Sequence, residues 1–305
     1  MTRKAPLKAM LGTVMINGEL IPAERAAISV LDRGFLWGDG VYEIIPSFNG
    51  RLFRLSDHLE RLQASLSYVQ IRLPMSTNEL ATRTDELMRA NADVVSTYPV
   101  CRVGHWISRG LEDWGRIYER THDATLVSLV CPVRNHLTKA DYESGLLMTL
   151  VSTRRSSPAV LDPRAKTTSK MNLIIADVEA GFRRSLPVML DQRGFIAESS
   201  TSNIFIVKDG RVLTPQAEWV LGGITRKVVI ELTLEAGIEV SEKDLTVIDA
   251  ASADEIFVTS STWGVVPVRA IDQIKPRLGT DGPVVRLLID KLATVTGFHP
   301  MDQAH

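Results

Sequence analysis

The stretch from Ser156 to Phe182 constrains this chain more than any other. It opens on residues that break regular structure, Ser156-Ser157-Pro158 and Asp162-Pro163. From Met171 onward, the spacing of Leu173, Ile174, Val178 and Phe182 predicts a helix with one apolar face filling a core. Between the two lies Lys166-Thr-Thr-Ser-Lys170, a polar run at a loop-to-helix junction. Most lysines are solvated surface charges. One at such a junction can instead be aimed inward, and an amine held there is both a nucleophile and a proton carrier. Lys166 and Lys170 are therefore candidate reactive residues.

With 305 residues the chain has enough length for two domains, and 45% hydrophobic with 23% charged residues are ordinary globular values. A formal net charge of −1 gives no electrostatic case for nucleic acid or an anionic membrane as partner. Cys101 and Cys131 each sit in an apolar run and read as buried thiols of a reducing compartment. No basic start runs into a long apolar core, and no run of about 18 apolar residues occurs. The expectation is a cytoplasmic soluble protein with no membrane partner, and no metal site is expected.

Asn17-Gly18 and Asn49-Gly50 predict hairpins, pairing Thr13–Ile16 with Glu19–Ile21 and Glu43–Phe48 with Arg51–Phe53. Gly34, Gly38 and Gly40 follow Asp32-Arg33 closely, which predicts a tight backbone, but their spacing is not a dinucleotide fingerprint. Ser56 reads as the cap of a helix carrying Leu59, Leu62, Leu66 and Val69, with Arg61 at the edge of that stripe. Ser76 to Glu79 is a capping box for a second helix. Val100–Ile107 and Ala124–Cys131 read as strands, the first carrying Arg102 and His105 among apolar residues. Pro132–Lys139 interrupts the pattern and is the candidate boundary: a domain of residues 1–131, a linker of 132–139, and a domain of 140–305. Further on come a strand from Leu146, strands at Pro187–Asp191 and Phe195–Ala197, and a hairpin around Asp209-Gly210. A helix opens at Gly222-Gly223-Ile224-Thr225, a strand Glu255–Thr259 runs into Ser260-Ser261-Thr262, and a helix spans Pro283 to about Thr296.

Three of these pieces suit a phosphate. Gly223-Ile224-Thr225 at a helix start offers unpaired N–H groups, a favourable dipole and a hydroxyl. Ser261 and Thr262 add two donors at a strand end, and Arg61 adds a planar fork of donors. Alone, each has a plain alternative: a helix entry, a turn, a solvated arginine. Glu198 likewise is either an exposed strand-end carboxylate or a buried anion that keeps a pyridine nitrogen protonated. A reactive lysine, a phosphate cradle and a carboxylate for a ring nitrogen are together what pyridoxal phosphate needs.

At these residues the chain resembles the class IV (fold type IV) pyridoxal-phosphate aminotransferases, which include D-amino-acid, branched-chain and (R)-amine enzymes. The matching pieces are Asp32-Arg33-Gly34, Gly38-Asp39-Gly40-Val41-Tyr42-Glu43 and His58-Leu-Glu-Arg61. Lys166 with Glu179-Ala180, Glu198 with Ser202-Asn203-Ile-Phe205, Gly223-Ile-Thr225-Arg226 and Thr259-Ser-Ser261-Thr262 complete the set. The resemblance runs from about residue 13 to 295. It implies a mixed α/β (α+β) fold: a small domain, a large domain carrying the lysine, the cofactor between them, and a homodimer. Lys166, thirteen positions before Glu179, takes the role of the Schiff-base lysine and proton shuttle, with Lys170 as competitor. Glu198 pairs with the ring nitrogen, while Arg61, the Ile224 and Thr225 amides, the Thr225 hydroxyl, Ser261 and Thr262 hold the phosphate.

The resemblance also implies transfer of an amino group between an amine or amino-acid donor and a 2-keto acid, with ping-pong kinetics. Tyr42-Glu43-Ile44 follows the D-amino-acid pattern, with Tyr42 and Ile44 as candidate substrate contacts. Lys170-Met171 stands where branched-chain members carry Asn-Tyr, so a D-amino-acid or (R)-amine enzyme is favoured over a branched-chain one. The Arg-x-His carboxylate trap of D-amino-acid enzymes is absent, and Arg116 is its candidate replacement. Arg102 matches a substrate-side arginine of branched-chain members; it either binds the acceptor carboxylate or pairs with a carboxylate such as Glu43. An aminodeoxychorismate-type lyase and a non-catalytic cofactor-binding protein are the remaining alternatives.

Overall fold

Asn17 and Gly18 take positive φ angles of 52° and 88°, so the backbone reverses in two residues between β1 (Thr13–Ile16) and β2 (Glu19–Pro22). The same device joins β3 (Gly40–Phe48) to β4 (Arg51–Leu52) through Asn49-Gly50. These elements belong to a computed structural model that describes residues 12–114, 123–133 and 137–302.

The chain divides into two compact units: Met1–Arg134 with Ala165–Lys170, and Asn135–Arg164 with Met171–His305. In the first, β5 (Val100–Ser108) and β6 (Thr125–Pro132) complete an antiparallel sheet of order β2-β1-β6-β5-β3-β4. A short α1 (Arg33–Trp37) precedes β3. Helices α2 (Leu55–Val69) and α3 (Thr77–Ala90), followed by the short α4 (Ala92–Thr97), carry apolar stripes against the sheet. Leu59, Leu62 and Leu66 of α2 and Leu80 and Leu87 of α3 are buried with Val41, Ile45, Val103, Ile107, Leu126 and Val130. Because side chains alternate along a strand, that packing assigns Val41, Glu43 and Ile45 to the helix-covered face and Tyr42 and Ile44 to the other. The α2 stripe matches expectation, but Ser56 does not cap it. Arg54, in the left-handed region at φ 53°, is the N-cap residue, and the Ser56 hydroxyl reaches Glu60 instead.

The second unit contains α5 (Lys139–Ser144), β7 (Leu146–Leu150), α6 (Met171–Gly181) and β8 (Leu186–Val188). Next come β9 (Asn203–Lys208), β10 (Arg211–Thr214), α7 (Ile224–Glu235) and β11 (Val240–Glu242). The unit ends with α8 (Val247–Ala251), β12 (Glu255–Ser260), β13 (Gly264–Ile271) and α9 (Pro283–Thr296). Its mixed sheet has the order β11-β10-β9-β12-β13-β7-β8. The central strands β9 and β12 are buried over five consecutive residues each, as strands covered on both faces must be. Phe205 and Phe257, directly opposite in register, stack with ring centroids 4.8 Å apart. Phe195–Ala197 forms only isolated bridges rather than the expected strand.

Helix α6 departs from the sequence reading. Its buried residues are Ala176 and Ala180, packed with Val151 and Met189, while Ile174, Val178 and Phe182 are 49%, 56% and 85% exposed. The apolar periodicity is real. The side that packs is the one whose small residues, four apart, allow close approach. Among the described residues, no helix is long and apolar enough to cross a membrane. Cys101 and Cys131 are buried free thiols.

Candidate active site

In the first unit the candidate residues gather on the open edge of β3. Residues 166–168 lie along that edge as a short added strand. Tyr42 N–H donates to Lys166 O at 2.9 Å, Thr168 N–H donates to Gly40 O at 2.9 Å, and Val41 bridges Thr167 antiparallel. Antiparallel register sets Lys166 opposite Tyr42, and directly opposed side chains share a face. Lys166 Nζ accordingly lies 4.5 Å from the centroid of the Tyr42 ring. The close approach of β3 to β5 here needs Gly40, since a Cβ there would lie 2.5 Å from Ile107 O, and 3.2 Å from Thr168 Oγ1 of the added strand. The loop is pinned further by Lys166 N–H to Ser65 Oγ at 3.0 Å, and by the Thr168 and Ser169 hydroxyls, both donating to Gly38 O.

Lys170 reaches the same ring, its Nζ 5.3 Å from the centroid. Burial pushes the Tyr42 hydroxyl up, but the charges of Lys166 and Lys170, and hydrogen bonds from both, outweigh it and hold the phenol below its ordinary pKa. Among the described residues neither ammonium meets a carboxylate.

One residue along β3, on its other face, every charge is matched. Glu43 is fully buried; its Oε1 accepts from Arg61 Nη2 at 2.6 Å, His58 Nδ1 at 3.0 Å and Ile44 N–H at 2.9 Å. Its Oε2 accepts from Arg61 Nε at 3.0 Å. Burial pushes this carboxyl up, yet Arg61 and His58 hold it well below the usual carboxylate range. Arg61 is therefore a seated guanidinium rather than a solvated one. His58 is kept below its ordinary pKa by burial and donates through Nδ1 as a neutral ring. His105, directly opposite Glu43 in register, lies between Ser128 Oγ at 2.7 Å and Thr84 Oγ1 at 3.3 Å, and burial lowers its pKa to about 4.

The Asp32-Arg33-Gly34 and Gly38-Asp39-Gly40 pieces frame this edge. Asp32 caps α1 by accepting from Gly34 N–H and also accepts from Ser108 Oγ. Asp39 accepts from Arg33 Nε at 2.8 Å and Arg109 Nε at 2.9 Å, and Arg33 also pairs with Glu112.

Arg102 lies opposite Pro46 and Cys131, and its Nε donates to Cys131 Sγ at 3.2 Å. Of the two alternatives for Arg102, pairing with Glu43 does not form, because the two residues occupy opposite faces of the sheet and Glu43 is already engaged by Arg61 and His58. Ile44 is half-buried on the Tyr42 face. Arg116 lies outside the described residues.

The second unit gathers the other candidates. Glu198 is 4% exposed. Its Oε1 accepts from Arg155 Nε at 2.6 Å and Leu221 N–H at 3.0 Å, and its Oε2 accepts from Asn203 Nδ2 at 2.9 Å. It is thus a buried, fully solicited anion and not an exposed strand end. Asn203 also donates to Leu221 O, which ties Glu198 to the entry of α7. Gly223 leaves room for Asn203 there, since a Cβ would lie 2.1 Å from Asn203 Oδ1 and displace the side chain that holds Glu198. As N-cap of α7 it offers no side-chain cap, and Ile224 and Thr225 behind it are buried. Thr259, opposite Asn203 in register, has a buried hydroxyl with no partner among the described residues, as do Ser199 and Ser202. Ser261 and Thr262 are half-buried in the turn between β12 and β13. Glu179 accepts from the backbone N–H groups of Ser152 and Thr153, and Ala180 packs behind it, so this pair anchors α6.

The span 40–271 of this chain matches the family described as amino-transferase class IV. The chain is a class IV aminotransferase. A D-alanine aminotransferase of Listeria monocytogenes is 30% identical over 279 residues, 90% of this chain and 93% of that protein. A Methanocaldococcus jannaschii protein, provisionally named a branched-chain-amino-acid aminotransferase, is 34% identical over 85% of this chain and 88% of its own length. The branched-chain aminotransferase of Thermoproteus uzoniensis, crystallised with norvaline, superposes with a TM-score of 0.84 and 29% identity, over 94% of this chain and 95% of that one. A further branched-chain amino acid aminotransferase of this fold was crystallised with pyridoxamine 5'-phosphate. The mixed α+β architecture with two sheets is the one these aminotransferases share.

The sequence reading of this aminotransferase named Lys166, Arg61 and Glu198 but not what holds them. Arg155 carried a signal, an arginine just after an apolar strand. His58 was part of the His58-Leu-Glu-Arg61 piece, though its bond to Glu43 was not foreseen, and Ser65 carried no signal, because a polar residue on the inner side of a helix is ordinary until its partner is known.

Proposed function

We propose that this class IV aminotransferase is pyridoxal-phosphate-dependent and moves an amino group between a D-amino acid or (R)-amine and a 2-keto acid. One observation carries the reading: Lys166 stands beside Tyr42 as a half-buried amine with no carboxylate partner among the described residues. The second unit supports a phosphate-bearing pyridine by its donor set. It has an uncapped helix entry at Gly223, buried Thr225, an orphaned hydroxyl at Thr259, and a buried carboxylate at Glu198. These residues fit the cofactor.

Ile224 and Thr225 would hold its phosphate through N–H and hydroxyl donors, with Ser261, Thr262 and Arg61 as further donors. Glu198 would keep its ring nitrogen protonated, and Arg155 and Asn203 keep Glu198 in place. When bound, pyridoxal phosphate supplies an electron sink for the carbanion left on proton removal. Lys166 Nζ would hold the cofactor at rest and, once freed from it, would serve as the base that takes and carries the proton of the donor's α carbon. Ser65 fixes the Lys166 backbone so that the amine stays over Tyr42.

Tyr42-Glu43 favours the D-amino-acid or (R)-amine type. A branched-chain specificity is the second reading, favoured by the superposition on branched-chain enzymes. The exposed apolar side chains of Ile174, Val178 and Phe182 support a homodimer that covers α6. Borohydride trapping with peptide mapping tests the lysine: the label is expected on Lys166, and Lys166→Ala should lose roughly 10²- to 10⁴-fold in turnover. A label on Lys170 overturns the assignment. A donor screen with both enantiomers against pyruvate and 2-oxoglutarate decides between the two specificities.

A further inference from the structure

Lys170 is the charged residue beside Tyr42 that the mechanism above does not use. It is half-buried, its Nζ is 5.3 Å from the Tyr42 ring centroid, and it shares that ring with Lys166. Three other half-buried cations of the unit are compensated, since Arg33 and Arg109 meet Asp39 and Arg61 meets Glu43, while Arg102 donates to the Cys131 thiol. No carboxylate among the described residues performs that service for Lys166 or Lys170. Two cations converging on one phenol without a counter-ion form a receptor for an anion.

Lys166 is committed to the cofactor in the proposed reading, which leaves Lys170 and the Tyr42 hydroxyl. The phenol lies below its ordinary pKa, and a more acidic O–H is a stronger donor to a carboxylate. Arg102, another cation on this face, is four residues along the sheet, about 13 Å at a strand's rise per residue, and its Nε is engaged by Cys131.

We propose that Lys170 is a specificity-determining residue that, with the Tyr42 hydroxyl, receives the carboxylate of the amino-acid donor and of the 2-keto acid. This rests on the reading of Lys166 as the cofactor-bearing amine. Lys170 then gives the enzyme its preference for carboxylate-bearing substrates, the role an arginine trap plays elsewhere. A donor lacking a carboxylate gains nothing from it.

The test uses the holoenzyme and its Lys170→Met and Lys170→Arg variants. Half-reactions are measured separately with D-alanine, pyruvate and (R)-sec-butylamine, and calorimetry gives the Kd of the unreactive carboxylate 4-methylvalerate. Lys170→Met should raise the KM for D-alanine and pyruvate and the Kd for 4-methylvalerate roughly 10- to 100-fold. The amine should change far less, and Lys170→Arg should restore most of the loss. Raised salt should weaken carboxylate binding in the wild type more than in Lys170→Met. Equal losses for amine and carboxylate substrates overturn the proposal, as does an unchanged Kd or a wild type that binds no carboxylate probe. Borohydride labelling separates the two readings. A label kept on Lys166 in Lys170→Met with unaltered carboxylate affinity overturns the role of Lys170 alone. A label lost in Lys170→Met but kept in Lys166→Ala overturns both.

Discussion

Tyr42 and Glu43 are neighbours in one strand, yet they face different electrostatic worlds. Glu43 points to the helix-covered face, where Arg61, His58 and a backbone N–H all serve its two oxygens. Tyr42 points to the other, where two ammonium groups converge and no carboxylate answers them among the described residues. The pleat alone separates the faces. The compensated face is architecture, because a buried charge survives only when paired and hydrogen-bonded. The uncompensated face is where the proposed carboxylate ligand would supply the missing charge.

The largest effect expected from breaking this contrast is on the compensated side. Glu43→Ala removes the buried carboxylate that Arg61 and His58 both serve and should cost about 3–5 kcal/mol in urea denaturation. A loss below about 1 kcal/mol would show that the pair is not structural.

Glu198→Gln comes next. It keeps the shape and removes the charge that Arg155 and Asn203 position, so the protein should fold and bind cofactor while turnover falls by roughly 30- to 1000-fold. Turnover equal to wild type would remove Glu198 from the chemistry.

The third prediction is a pH dependence. His105 is fully buried and burial lowers its pKa to about 4, whereas an unfolded histidine titrates near 6.5. Between those values the unfolded chain binds more protons than the folded one. Stability from this residue is therefore full above pH ~6.5 and is lost as the pH falls toward ~4. His58, also lowered by burial, acts in the same direction. Denaturation midpoints across this range should fall on acidification, and His105→Gln should flatten the slope; a flat wild-type profile contradicts the neutral assignment.

Tyr42→Phe should give the smallest effect. It removes one hydroxyl donor and should weaken 4-methylvalerate binding by roughly tenfold or less, with stability nearly unchanged. A larger loss than that of Lys170→Met would make the phenol, not the ammonium, the main anion contact.

Much of this was legible beforehand, for local reasons. The Asn-Gly turns need positive φ, and only a few residues supply it cheaply. The α2 stripe of Leu59, Leu62 and Leu66 declares its buried side by spacing. The same logic misjudged α6, where Ile174, Val178 and Phe182 of the predicted stripe are exposed while Leu173 packs with Ala176 and Ala180, because periodicity reveals a face and not what covers it. At the site, residue type put Lys166 and Lys170, Arg61 and Glu198 on the list, since few side chains can serve as amine, phosphate fork or buried anion, and the family resemblance assigned their roles.

The sequence by itself determined the turns, the phase of most helices and strands, and a short list of chemically capable residues. All of these follow from dihedral preference and periodicity over a few positions. Tertiary structure decided which of those residues are neighbours. Lys166 owes its place to pairing along the open edge of β3 and to Ser65, 101 residues earlier in the chain. Whether a charge is matched depends on that same long-range register. It set Glu43 against Arg61 and left Lys170 beside Tyr42, and no local pattern encodes it.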